Sequence, residues 1–213
     1  MPDLALLLVA IWFLVVFVIR TALQWWRTGS TGLKGFHGTP GSLPWVAGVM
    51  VSVGFVLALG APLAAVMQWP GGTLLFQSTL VHWTGAVLLT MGTIGTLAAQ
   101  LSMGESWRVG VDEGEETQLV TTGLFAWVRN PIFSFMGLSQ LGLVLLIPIP
   151  VALLGAILSI VGVVLQVRFV EEPYLQETHG ADYREYTARV GRFIPGVGRI
   201  ESSILQAGQP ADG

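Results

Sequence analysis

The residue types that most often carry enzyme chemistry are concentrated in two polar stretches of this 213-residue chain. The first, residues 103–131, contains Trp107 and the run Arg129, Asn130 and Pro131. The second is residues 168–195, and its candidate site residues are Arg168, Glu171, Glu172, His179, Tyr183 and Tyr186. A guanidinium and a carboxylate at one site are suited to hold the carboxylate and ammonium of an amino-acid-like ligand. We therefore expect Arg129 and Glu172 to be the central residues of a binding or catalytic site.

Each of these features also has a plain structural interpretation. An arginine before an apolar run and carboxylates after one keep helix ends in water. His179, followed by Gly180, is typical of a helix C-terminus, where it either caps the helix or contacts a ligand. Tyr183 and Tyr186 are equally well explained as interfacial tyrosines or as rings facing a bound cation. The sequence alone leaves these alternatives open.

Several other functions are excluded by what the chain lacks. It has no cysteine, so disulfides, thiolate metal ligands and cysteine nucleophiles are ruled out. Its three histidines are widely separated, and the acidic residues 112–116 indicate a solvated loop, so no metal site is predicted. The net charge of −3 and the absence of a basic, aromatic-rich stripe argue against nucleic-acid binding.

The elements that must position the two stretches are apolar helices. The chain is 53% hydrophobic and only 11% charged, against about 25% charged in average soluble proteins. About 20 apolar residues span a bilayer as a helix, and five stretches qualify: residues 4–26, 43–67, 79–101, 131–147 and 148–170. We predict an all-α, polytopic membrane helix bundle with about five transmembrane helices, followed by short cytosolic helices.

The orientation of the bundle follows from its basic residues. With five spans, all ten Lys and Arg residues lie at or near one face, so the positive-inside rule places the N-terminus outside and the C-terminus in the cytosol. Arg20 and Arg168 lie near helix ends, from which their long side chains can reach water. We expect a multi-pass protein of a bacterial cytoplasmic membrane.

The order of the spans predicts how the polar stretches meet. The fourth and fifth spans are joined only by Ile147 to Pro150, so we expect an antiparallel helical hairpin over residues 131–170 that brings Arg129 close to the two glutamates. Glycines recurring at heptad spacing, such as Gly85 with Gly92 and Gly155 with Gly162, favour close helix packing over a ligand role. We divide the chain into three N-terminal spans, residues 1–101, and a catalytic half, residues 102–213.

The two polar stretches resemble a known family. The run 119–133 is similar to the segment with an Arg-His-Pro-x-Tyr signature in the isoprenylcysteine carboxyl methyltransferase and phospholipid methyltransferase family of membrane enzymes. The run 171–195 resembles that family's second block, a Glu-Glu pair, a glycine with two tyrosines three apart, and a basic-aromatic-x-Pro ending. Arg129 and Pro131 match the signature, whereas Asn130 replaces its histidine and Phe133 its tyrosine.

The resemblance implies a cofactor and a class of substrate. The cofactor is S-adenosylmethionine, bound at the cytosolic side, and the acceptor is a lipid-like molecule that enters from the bilayer. Arg129 or Arg168 would pair with the cofactor's carboxylate and Glu171 or Glu172 with its ammonium. Trp107, Tyr183 or Tyr186 would stack on the adenine or face the sulfonium.

Two alternatives from other classes remain at this stage. A relative of the sterol reductases would share the C-terminal membrane core but bind NADPH. A non-enzymatic transporter or assembly protein would need an ion or substrate path, and the spans show no charged residue at their midplane. We expect membrane lipids as surroundings, no nucleic-acid partner and a monomer.

Overall fold

The apolar runs fold as helices, as the sequence predicted. The structure is a computed structural model, and it describes residues 1–31, 38–69, 74–104 and 119–200. Within these ranges β pairing is limited to two isolated bridges, Val128 with Gly191 and Ile194 with Val197. The prediction of an all-α membrane bundle is confirmed.

The first three spans match the predicted stretches closely. The first is one continuous helix built from α1 (Pro2–Phe13), a π-helical segment (Leu14–Ile19) and α2 (Arg20–Thr28). The second is α3 (Leu43–Val66) and the third is α4 (Thr79–Met103). Gly29, with φ +72°, ends α2 in the left-handed conformation that glycine adopts without a Cβ penalty.

The C-terminal half contains a short helix, two apolar helices and a projecting polar one. A 3₁₀ helix (Gly123–Ala126) precedes α5 (Pro131–Leu146), and α6 (Pro150–Gln166) continues through a π-helical segment (Val167–Glu171) into α7 (Glu172–Arg189). Prolines occupy the first turns of α5, α6 and α7, where a missing N–H costs no intrahelical hydrogen bond.

Four of the five predicted spans are long and apolar enough to cross a membrane. The exception is the fourth predicted span, α5, which has 16 residues. That is about 24 Å of helix, against a hydrocarbon core of about 30 Å. Large apolar side chains face outward around the bundle, with Leu80 78% exposed and Ile94 64% exposed. Such an apolar exterior is expected where lipid, and not water, surrounds the helices.

Glycines bring the helices into close contact in two pairs. A Cβ on Gly85 of α4 would lie 2.6 Å from the carbonyl oxygen of Gly142 in α5. A Cβ on Gly155 of α6 would lie 2.9 Å from the carbonyl oxygen of Gly54 in α3. Only residues without a side chain permit this approach, so the predicted packing role of these glycines is confirmed.

The predicted hairpin of α5 and α6 packs differently from what the sequence indicated. Helices α5 and α6 are antiparallel and touch at mid-length, where Gln140 Nε2 donates a 3.2 Å hydrogen bond to Ser159 Oγ. Their most extensive packing is with the earlier spans, however: α5 lies along α4, and α6 lies along α3. The packing therefore crosses the predicted boundary between residues 101 and 102.

Helix α7 consists of two helical pieces. Gly180 has φ 51° and ψ −115°, outside the helical region, so the helix kinks there and begins again. This agrees with the helix end predicted at His179 and Gly180. Because α6, the π-helical segment and α7 form one element of 40 residues, Pro150–Arg189, its polar C-terminal part extends beyond the bundle.

Candidate functional site

The predicted central residues meet on the side of the bundle that carries Arg20, Arg129 and Arg168, here called the basic face. Arg129 immediately precedes α5 and is held in place by its backbone: its N–H donates to the carbonyl of Gly191 at 2.8 Å. The N–H of Asn130 donates to the carbonyl of Arg192 at 3.1 Å. The C-terminal segment thus lies against the start of α5 and fixes the direction of the Arg129 side chain.

The Arg129 guanidinium is buried and surrounded by acceptors. Its Nη2 donates to Glu172 Oε1 at 2.6 Å and to the carbonyl of Gly198 at 3.2 Å. Its Nη1 donates to the carbonyls of Val190 at 2.6 Å and Thr187 at 3.3 Å. The whole residue is only 5% exposed, so Arg129 joins α5, α7 and the C-terminal segment from the inside.

Glu172 is the acid at the centre of this arrangement. Besides the contact from Arg129, its two carboxylate oxygens accept hydrogen bonds from Nε and Nη2 of Arg192, both 2.8 Å long. These bonds to Glu172 raise the pKa of Arg192 above its ordinary value, against the opposing effect of burial. We call Arg129, Glu172 and Arg192 the charged cluster; two guanidiniums and one carboxylate leave it one positive charge in excess.

A second group, of tyrosines, lies beside the charged cluster. Tyr183 and Tyr186 are 3% and 4% exposed, and their ring centroids are 6.3 Å apart. They pack with Val190, and Leu119 and Leu175 lie against them. The Tyr186 hydroxyl donates a 2.6 Å hydrogen bond to the carbonyl of Phe125, just before α5. Both rings are therefore occupied in packing.

The other predicted site residues are placed differently. Arg168 is exposed, and Glu171 and His179 are half-buried, so these three are accessible on the projecting helix. Asn130 donates through Nδ2 to the carbonyl of Arg192 at 3.2 Å, and Pro131 is fully buried. Trp107 lies outside the described residues. Their predicted contacts with a cofactor remain predictions.

Two arginines have larger structural roles than the sequence indicated. Arg192 belongs to the charged cluster, although only its place in the basic-aromatic-x-Pro ending pointed to it. Arg20 was expected to extend to water, and this is wrong: it is 2% exposed and donates to Gln24 Oε1 and to the carbonyl of Gly104, both at 2.8 Å. Acceptors on α2 and at the end of α4 thus bind its two Nη atoms inside the protein.

A π-helical segment directly precedes each of two buried charged residues. Leu14–Ile19 leads into Arg20, and Val167–Glu171 leads into Glu172. A π-helical turn inserts an extra residue into the helical repeat and rotates the residues that follow it, and such turns are frequent at functional sites. Arg20 and Glu172, the residues that follow these turns, are both buried.

Metal ligands are not grouped in the part of the chain that the structure describes. No set of three His, Asp or Glu residues there could hold an ion. His82 lies in the first turn of α4 and is buried. Its Nε2 makes no hydrogen bond with the described residues.

Comparison with known proteins gives one match, to a family model. Residues 80–182 match the model described as phospholipid methyltransferase, from α4 to the middle of α7. The match includes Arg129, Glu172 and His179 and ends before Tyr183. The comparisons with curated proteins and with solved structures gave no match. Residues 80–182, just under half of the chain, are thus similar to the phospholipid methyltransferase family, and the resemblance inferred from the sequence is confirmed.

Proposed function

We propose that the protein transfers a methyl group from S-adenosylmethionine to a lipid-like acceptor at the basic face of the bundle. The observation that carries this proposal is the charged cluster. Two of its members, Arg129 and Glu172, lie within residues 80–182, which match the family, and their contact joins the start of α5 to the helix that leaves the membrane.

The geometry favours different roles for the candidate residues. Arg129 and Glu172 already satisfy each other, and both Glu172 oxygens accept hydrogen bonds from arginines. Releasing either side chain to a ligand would leave the other charge buried without a partner, which is strongly unfavourable. We therefore assign Arg129 and Glu172 to positioning the site and not to gripping the cofactor.

The residues that fit the cofactor in type are the accessible ones on the projecting helix. Arg168 is exposed and Glu171 is half-buried, and the two are three residues apart in the π-helical segment. In this proposal Arg168 holds the cofactor's carboxylate and Glu171 its ammonium, with His179 further along the same helix. Trp107 is kept as a stacking candidate, since Tyr183 and Tyr186 are buried against each other.

The acceptor is either a carboxylate or an amine. When bound, the cofactor supplies a methyl group on a good leaving group, so the protein has mainly to align the acceptor and exclude water. A carboxylate acceptor needs no base. For an amine acceptor, we assign the proton to the carboxylate of Glu171, which lies next to the proposed ammonium contact.

Calorimetry on the full chain in detergent tests the proposal. S-adenosylhomocysteine should bind, and Arg168→Gln and Glu171→Gln should each weaken it roughly tenfold or more, as expected for lost charged contacts. Arg189→Gln and Glu185→Gln are matched controls, because these residues form an exposed pair further along α7. Mass spectrometry of membrane lipids after incubation with labelled S-adenosylmethionine then identifies the acceptor.

Two results would contradict the proposal. One is the absence of S-adenosylhomocysteine binding by folded protein, together with binding of NADPH, which would favour a reductase. The other is unchanged affinity in both Arg168→Gln and Glu171→Gln, which would remove these residues from the site.

A further inference from the structure

A tight turn with apolar side chains lies on the basic face, near the end of the part of the chain that the structure describes. Residues 194–197 carry Pro195 and Gly196 at the two central positions, and the N–H of Val197 donates to the carbonyl of Ile194 at 3.0 Å. Gly196 has φ +76°. Proline followed by a glycine of positive φ is typical of a type II turn. We call residues 194–197 the apolar turn.

The side chains of the apolar turn point away from the protein. Ile194 and Val197 are each 60% exposed. Trp127 is 71% exposed, and the residue after it, Val128, pairs with Gly191. Exposed tryptophan and aliphatic side chains next to a polar surface are typical of protein segments that lie at the membrane–water interface.

Hydrogen bonds place the apolar turn beside the first turn of α5. Asn130 Nδ2 donates to the carbonyl of Arg192, and Ser134 Oγ donates to the carbonyl of Phe193 at 2.7 Å. Ser134 lies three residues after Pro131, which is about 4.5 Å further along the helix. Because α5 is shorter than the hydrocarbon core is thick, its first turn lies near the level of the membrane surface. The apolar turn lies at that same level.

We propose that the apolar turn inserts into the interfacial layer of the membrane leaflet at the basic face and prefers anionic lipids there. Ile194 and Val197 are the inserted side chains, at the boundary between head groups and acyl chains. The charge at the turn is positive, because Arg199 is exposed and a Cβ on Gly196 would lie 3.6 Å from its Nη2. An arginine close to a membrane surface attracts anionic lipids.

Insertion of the apolar turn acts on the charged cluster through the residues that flank the turn. Arg192, two residues before it, binds Glu172 at 2.8 Å, and the carbonyl of Gly198, directly after it, accepts from Arg129 Nη2 at 3.2 Å. The membrane surface thus holds the segment whose atoms complete the cluster. The proposal does not rest on methyl transfer, because it concerns only which lipids this segment contacts.

Fluorescence from a single labelled cysteine tests the proposal. The chain has no cysteine of its own, so Ile194→Cys in the full chain carries a nitrobenzoxadiazole label at one position. In nanodiscs of phosphatidylcholine and phosphatidylglycerol, a lipid nitroxide near the start of the acyl chain should quench the label more strongly than one near its end or than iodide in the water. Glu185→Cys is the control, because Glu185 is an exposed charged residue of α7; its label should be quenched by iodide and by neither lipid.

The same label measures the preference for anionic lipids. With the nitroxide on phosphatidylglycerol in place of phosphatidylcholine, quenching at residue 194 should indicate about fivefold enrichment, as expected for one arginine near the surface. Arg199→Gln in the labelled protein should abolish this enrichment. Arg27→Gln, which removes an exposed arginine of α2, should leave it unchanged.

Three outcomes would overturn the proposal. Equal quenching by iodide at residues 194 and 185 would show that the apolar turn lies in water. Protection from iodide without quenching by either lipid would show that another part of the chain, or a second copy, covers the turn. Unchanged enrichment in Arg199→Gln would overturn the preference for anionic lipids. If Ile194→Cys does not fold, Val197→Cys decides, since Val197 is exposed to the same extent.

Discussion

Arg129 and Glu172 are 43 residues apart in the chain, yet Arg129 Nη2 lies 2.6 Å from Glu172 Oε1, with both side chains withdrawn from solvent. Arg129 immediately precedes α5 and Glu172 begins α7, so this contact joins the start of α5, which packs along α4, to the helix that continues from α6. A hydrogen bond between two charged groups is about twice as strong as one between neutral groups, so this contact holds the start of α5 against the start of α7. Its main effect is to fix the geometry of the face where methyl transfer is proposed.

Loss of the Glu172 charge should destabilise the protein strongly. Glu172→Gln leaves Arg129 buried and without its counter-charge, and breaking such a pair costs about 3 to 5 kcal/mol of the free energy of unfolding. Unfolding by SDS in mixed micelles, followed by circular dichroism, measures the change. Glu185→Gln is the control, because it removes a carboxylate of the same helix whose partner Arg189 is equally exposed.

The same variant separates positioning from direct binding. At a temperature where Glu172→Gln is still folded, it should keep more affinity for S-adenosylhomocysteine than Glu171→Gln does. A folded Glu172→Gln protein that has lost all affinity would show that Glu172 itself contacts the cofactor, contrary to its assignment here.

Much of the architecture could be predicted from the sequence because it depends on long apolar runs. The predicted spans and the observed helices agree within a few residues, and the glycine pairs were correctly assigned to packing. Helix pairing was harder: the short loop at Pro148 indicated a hairpin, but the close approach of Gly85 to Gly142 and of Gly155 to Gly54 draws α5 and α6 to other partners. The length of a loop determines whether two consecutive helices run antiparallel, whereas the fit of their surfaces determines which helix each one packs against.

The sequence predicted which residues come together at the site, but not that Arg129 and Glu172 pair with each other. Spacing brought Arg129 and Glu172 to the same face, but it gave no indication that each would satisfy the other. That outcome depends on Arg192 and on the backbone carbonyls of residues 187–198, which approach only because the C-terminal segment turns back to α5. Burial of Arg20 was missed for the same reason, since its acceptor at Gly104 is 84 residues away.

Arg129→Lys should not preserve the cluster, although it preserves the charge. The two Nη atoms of Arg129 contact four acceptors on three segments, and a lysine ammonium cannot reproduce this planar geometry. We expect a loss of about 2 kcal/mol in the free energy of unfolding. Arg199→Lys, at an exposed position, should be neutral. Equal stability of the two variants would mean that charge alone holds the cluster.

The Tyr186 hydroxyl should contribute to stability through one hydrogen bond. Tyr186→Phe leaves the buried carbonyl of Phe125 without its 2.6 Å donor, which should cost about 1 to 2 kcal/mol. Tyr183→Phe is the control: it removes a hydroxyl from the neighbouring ring, which is equally buried and packs against Tyr186. Stability of both proteins is measured by the same SDS titration, and an equal loss would show that the hydroxyl bond is not the cause.

Glycines of α5 provide a test of the helix packing. A Cβ on Gly142 would lie 2.7 Å from the carbonyl oxygen of Gly85 and 2.8 Å from the Cα of Leu89, so Gly142→Ala should push α5 away from α4. Overpacking of this kind costs about 1 to 3 kcal/mol.

Gly137→Ala is the matched change on the same helix, since a Cβ there meets nothing within 4 Å. Alanine is the better helix former, by about 1 kcal/mol, so Gly137→Ala should be neutral or stabilising while Gly142→Ala unfolds at lower SDS. Because α5 also carries Arg129 just before its first turn, displacement of α5 should lower methyl transfer in Gly142→Ala as well. If Gly142→Ala were as stable and active as Gly137→Ala, α5 would not depend on this close approach, and the pairing of α5 with α4 would be wrong.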